Sequence, residues 1–186
     1  MIVQAANVSP QSGDPLAQRQ VAERKRITRW AKGAWSGVIA GALFMTVDMF
    51  LTEVFGRGSI WDPVRLSASI AMGDRAVTAS TPFTFDIFFV GMLVHFVLSI
   101  WYAVVLGMLI YKLKTGAAML VGAGFGLLLY ILHFHGLTAL YPWVASARSW
   151  IVIVTHLVFG VSAAWVYSHL HVRQLMHRAG LLSETT

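Results

Sequence analysis

Cysteine is absent from the 186 residues, and charge is scarce: Asp, Glu, Lys and Arg together make up 12% of the chain. Without cysteine there is no disulfide, no thiolate metal site, no iron–sulfur cluster and no covalently attached c-type haem. The redox compartment is therefore unmarked. A water-facing domain carries about 25% charged residues; this chain has about half of that, against 57% apolar residues. With a mean hydropathy of +0.68, it reads as an integral membrane protein. Acidic residues are few as well, eight against fourteen Lys and Arg, for a formal charge of +6. The positive residues cluster at the N-terminus and at the edges of apolar runs, where basic residues set topology and touch anionic headgroups. That distribution argues against nucleic acid as a partner. Also missing are a Ser/His/acid arrangement, a phosphate loop, a dinucleotide fingerprint and any convincing internal repeat.

What remains is long apolar runs. A helix needs about 20 apolar residues to cross the hydrocarbon core, and four stretches qualify: 33–54, 86–111, 117–141 and 149–170. The predicted fold is all-α, an integral membrane four-helix bundle. A polar, basic stretch precedes the first run in place of a short apolar segment with a cleavage site, so that run reads as a retained span. With the N-terminus inside, ten Lys and Arg fall on the inner side and four (Arg57, Arg65, Arg75, Arg148) on the outer. The excess predicts both termini in the cytoplasm. Residues 1–32 then form a basic cytoplasmic tail, disordered over 1–15 and a basic helix along the inner surface over 16–32. Residues 171–186 form a second cytoplasmic tail, and His171 and His177 within it, with His169 just before it, are expected near headgroups or solvent.

The connections carry further expectations. "YKLKTG" is short, which predicts antiparallel, neighbouring second and third spans. In the long first outer loop, "WDPVRLSASIAMG" offers Asp62 as N-cap, Pro63 at the first helical position and Gly73 as a stop. A short surface helix is expected there. Glu53 and Arg57, four apart, are placed to pair at the outer edge, and Asp86 to mark the start of the second span. Trp143 and Trp150 stand where an interfacial aromatic belt would lie.

Polar residues inside the spans are the most informative feature. Small residues at spacings of four mark the faces through which membrane helices approach. Gly33, Gly37 and Gly41 mark such a face, and Asp48 lies seven residues on. Seven residues return a helix to within about 20° of the same face. Ala118, Gly122 and Gly126 repeat the pattern, with His133 seven beyond. His95 shares a face with Gly91, Ser99 and Tyr102, and His156 with Gly160. Each helix thus offers one ionisable side chain to the interior. At about 1.5 Å per residue, all four lie in one layer of the outer half of the bilayer. His135, about 200° around from His133, points elsewhere while the helix stays regular.

Three chemistries suit such a layer. Asp48, His95, His133 and His156 are suitable ligands for iron, copper or zinc, and His95 with His156 could ligate a b-type haem axially. Alternatively the layer is interhelical hydrogen bonding, with Tyr102, Tyr130, Ser99 and Thr155 as partners. The third reading is a proton or small-solute path.

The runs "GSIWDPVRLSASIAMG", "VHFVLSIWYAVVLG" and "GLTALYPWVASARSWIVIVTHLVFGVSAAWVY" resemble a family of small four-span bacterial inner-membrane proteins, often catalogued loosely as "sodium:proline symporter" proteins. The resemblance implies an acid near Asp48 and histidines at His95 and His156, while Asn and Tyr can replace His133 and His135. The symporter label fits poorly, since inverted-repeat symporters use more spans and paired broken helices. The expectation is a non-enzymatic accessory or scaffold subunit of a larger membrane complex, its partners the lipid bilayer and other membrane subunits. The alternative is a metal- or haem-binding protein.

Overall fold

A computed structural model describes residues 15–56, 58–78 and 82–178, with the side chains of 17, 25 and 171–178 left out. Every regular element among them is helical: α1 (Pro15–Phe55), α2 (Asp62–Met72), α3 (Phe85–Ile110), α4 (Thr115–Ile131) and α5 (Trp150–Arg178). Four of these segments are long and apolar enough to cross a membrane: Gln18–Phe55, Phe85–Ile110, Thr115–Ala139 and Trp150–Leu170. The last three follow the apolar runs to within two residues, while the first begins fifteen residues before the run that starts at 33. The disorder expected for 1–15 falls almost entirely outside the described residues, as does Arg57, the partner proposed for Glu53. The Glu53 carboxylate instead accepts the Ile60 amide at 3.1 Å.

Residues 16–32 are helical but do not form a separate surface helix. They continue into the first span as one 41-residue helix. No proline or glycine interrupts 16–32, so nothing in the backbone forces a break before the membrane. At the other end, α5 runs on past 170 through Arg178.

The bundle order departs from the expectation set by loop length. Helices α3 and α4, joined by four residues, barely touch; the packed pairs are α1 with α3, α1 with α5 and α4 with α5. Glycine explains this choice. A Cβ on Gly33 would stand 2.8 Å from the Val104 Cα, and one on Gly37 2.6 Å from the Ile100 Cα. These backbones meet at a distance only glycine permits. On the other side, Gly122 and Gly126 of α4 press on the backbone of α5 at Gly160 and His156. Close approach fixes α1 against α3 and α4 against α5. The short loop only reverses the chain. A core of Ala40, Ala103, Leu106, Ile110, Phe159 and Ala163 fills the centre.

Helix α2 begins one residue earlier than its sequence suggests. Trp61 holds the cap position, and Asp62 is the first helical residue. The Asp62 carboxylate accepts the Ser59 amide at 2.8 Å, capping the preceding turn in place of its own helix. Gly73 ends the helix at φ 78°, a conformation glycine adopts without strain. Val64, Ala68 and Ser69 are buried, and the Val64 carbonyl lies against Gly91 of α3. Leu66 packs on a cluster of Phe134, Val144 and Val152 beyond α4. The helix therefore closes the end of the bundle where α3, α4 and α5 meet. At the start of α3, the Thr84 hydroxyl donates to the Asp86 carboxylate.

Candidate functional site

The polar layer lies just below α2. Asp48, His95 and His156 are buried, and His133 is half-buried. His133 reaches its place through a change of helix type: after Ile131 the chain widens into a π turn over Leu132–Gly136, followed by short 3₁₀ turns. Such a turn leaves carbonyls without their usual helical donors. Arg148 supplies one, its Nε donating to the Phe134 carbonyl at 2.7 Å. Trp143 fixes the same region from above, its indole Nε1 donating to the Ser69 hydroxyl of α2 at 2.9 Å. Trp143 is thus a strut between α2 and the α4–α5 connection, more than a membrane-interface anchor. Trp30, Trp35, Trp101, Trp150 and Trp165 are the ones exposed on the outside of the long helices.

The histidines form a line whose direction follows from its last member. His156 Nδ1 is 2.8 Å from the Val152 carbonyl, an acceptor only, so this nitrogen carries the proton. In a neutral ring His156 Nε2 is then an acceptor. It faces His133 Nδ1 at 3.4 Å, so His133 donates there and accepts at Nε2. That atom lies 2.9 Å from the Tyr102 hydroxyl, which therefore donates. The order is Tyr102 to His133 to His156 to the Val152 backbone. It ties α3 to the end of α4 and on to α5, spanning the one side of the bundle where helices scarcely pack.

His95 belongs to a different pair. Its Nε2 lies 2.9 Å from the Gly41 carbonyl of α1 and 3.5 Å from the Ser99 hydroxyl. A Cβ on Gly41 would stand 2.8 Å from that hydroxyl, so the glycine is what brings the α1 carbonyl within reach. Phe44 fills the space shared by the two groups, its ring 5.3 Å from that of His95 and 5.1 Å from that of His156. Asp48 is hydrogen-bonded to Thr52 of its own helix. His135 is exposed and, among the described residues, meets the edge of the Tyr130 ring. Thr155, proposed as a partner, bonds its own helix at Val152, and Tyr130 contributes stacking on Phe134.

The four residues are thus divided in contact. His133 and His156 meet, His95 turns to α1, and Asp48 turns to Thr52. Among the described residues, no group of three or more His, Asp or Glu side chains is arranged to hold a metal ion. A haem between His95 and His156 would have to displace Phe44 and break the bonds to Gly41 and His133. A through-going proton path meets another obstacle: the line ends on a backbone carbonyl, which has no proton to pass on. Sequence reasoning missed Phe44, Arg148 and the Gly41 carbonyl. Only Arg148 carried a signal, a lone charge directly before an apolar run.

The chain matches no family model, no curated protein and no solved structure.

Proposed function

We propose that this protein is a small bacterial inner-membrane protein with both termini in the cytoplasm, serving as a non-enzymatic accessory or scaffold subunit of a larger membrane complex. One observation carries the reading: the buried histidines spend their ring nitrogens on one another, on Tyr102 and on backbone carbonyls. Bonds of this kind fasten one helix to another. Each such contact contributes about 0.6–2 kcal/mol in a membrane. The resemblance to small four-span proteins agrees with this assignment, and the excess of Lys and Arg at one end supports the orientation.

A second reading keeps one specific observation. Two nitrogen ligands held at 2.0–2.1 Å by a tetrahedral ion lie about 3.3–3.4 Å apart, and His133 Nδ1 and His156 Nε2 are separated by 3.4 Å. That spacing is long for a hydrogen bond. Their other nitrogens are held by Tyr102 and Val152, as the outer partners of metal-binding histidines are. A transition metal would need further ligands from outside these two.

One preparation separates the readings: the protein solubilised in mild detergent without a histidine tag, analysed for metal and by native electrophoresis. The accessory reading expects co-migration with a membrane protein at fixed stoichiometry. It also expects metal at background in wild type and in H133N/H156N alike. A chain that migrates alone would sink it. About one iron, copper or zinc per chain, lost in H133N/H156N, would establish the second.

A further inference from the structure

The opposite end of the bundle holds an unexplained groove. Between α1 and α3 lies an open apolar cleft of about 720 Å³, lined by Ile27, Trp30, Ala34, Val97, Trp101 and Val104. It runs beside the seam where Gly33 and Gly37 bring α1 against Val104 and Ile100 of α3. Arg26 stands at its mouth and also lines a second cavity of about 270 Å³, shared with Arg29, Tyr111 and Tyr167. The Arg29 guanidinium lies over the Tyr111 ring, 5.0 Å from its centre, and the Lys112 ammonium 5.3 Å from the same ring. Three cations thus gather where the groove meets the end of the spans.

A second observation points the same way. Tyr167 lines the smaller cavity, and its hydroxyl is buried with no hydrogen-bond partner among the described residues. Buried hydroxyls are nearly always paired, so this one has a donor left over for an acceptor that enters the cavity, directly or through a water.

We propose that this groove is a binding site for one anionic phospholipid of the leaflet at this end of the bundle. The acyl chain lies along Ile27, Trp30, Val97 and Trp101, and the phosphate between Arg26 and Arg29. Apolar length, a basic mouth and a buried donor behind it match the three parts of such a lipid: chain, charge and phosphate oxygen. The basic mouth favours an anionic headgroup over a neutral one, and a partner helix would need a matching acid at the mouth. The proposal rests on the chain lying in a bilayer and not on the subunit role, so it can fail while that role stands.

The test is native mass spectrometry of the full chain in detergent with equal phosphatidylglycerol and phosphatidylcholine added. The expected result is preferential retention of one phosphatidylglycerol. R26Q/R29Q should weaken it by on the order of tenfold, while R19Q/R24Q, which removes the same charge from the same helix outside the groove, retains it. No preference in wild type, or equal loss in both double variants, would overturn the proposal. If R26Q/R29Q does not fold, A34F decides. Filling the apolar groove with every charge intact must lower the retained phosphatidylglycerol, and undiminished retention rejects the site.

Discussion

Tyr102, His133 and His156 illustrate how one acceptor-only atom fixes the protonation pattern of a whole line. Because the Val152 carbonyl can only accept, each nitrogen upstream has a single role. Removing the first donor strands an acceptor in an apolar layer, where the cost of an unmade bond exceeds its ordinary net worth. The Tyr102–His133 bond is therefore measurable by a double-mutant cycle of Tyr102→Phe and His133→Leu in detergent. A coupling of about 0.6 kcal/mol, and no more than about 1.7, is expected for an interhelical bond of this kind. Zero coupling would mean that the bond is absent from the folded protein. Neither the bond nor its direction is readable from residue types. The sequence offered Tyr102 as one of several possible partners, but joining it to His133 required knowing that the chain widens into a π turn at Leu132.

Among the helices, glycine position decides the neighbours. The spacing of Gly33, Gly37 and Gly41, and of Gly122 and Gly126, marked the packing faces correctly, since a missing Cβ is visible in sequence and close approach follows from it. Which helix would use each face was not visible. Loop length suggested α3 beside α4, yet both glycine faces are spent elsewhere, on α1 with α3 and on α4 with α5. A substitution series tests this directly. Gly126→Ala puts a methyl group into the His156 carbonyl and should destabilise the bundle by about 1–3 kcal/mol through forced separation. Gly124→Ala, two residues away, meets nothing within 4 Å and should be neutral or gain up to about 1 kcal/mol of helix propensity. Unfolding in mixed detergent reads both. Equal effects would show that α4 and α5 do not approach through this face. The same logic corrects α2: an Asp-Pro start and a Gly stop announce a short helix, but which turn Asp62 caps depends on the backbone before it.

For the molecule as a whole, orientation is the property most open to experiment, and the absence of cysteine makes it simple. Single-cysteine variants carry no background. With both termini inside, a membrane-impermeant maleimide applied to intact spheroplasts should label Thr78→Cys and Ser146→Cys, whose positions are exposed in the outer connections. It should label Lys114→Cys only after the membrane is opened. The reverse pattern would invert the assignment and move the basic groove to the other leaflet. Orientation rests on the ten-to-four division of Lys and Arg, a count that needs only the span boundaries.

The division between what was legible and what was not has a physical basis. Membrane-spanning helices announce themselves because the bilayer demands about 20 apolar residues whatever the partners are. Within them, an internal polar side chain is conspicuous because burying it is costly. The number of apolar helices, and the limits of the last three to within two residues, could therefore be read from residue type alone. Contacts obey no such one-dimensional rule. Asp48 turning to Thr52, His95 to the Gly41 carbonyl and His133 to His156 depend on helix rotation, on the π turn and on Phe44 filling the space that His95 and His156 share. Those are outcomes of packing three-dimensional surfaces. They turned one layer of four ionisable groups into separate fastenings, and only the folded arrangement decided that.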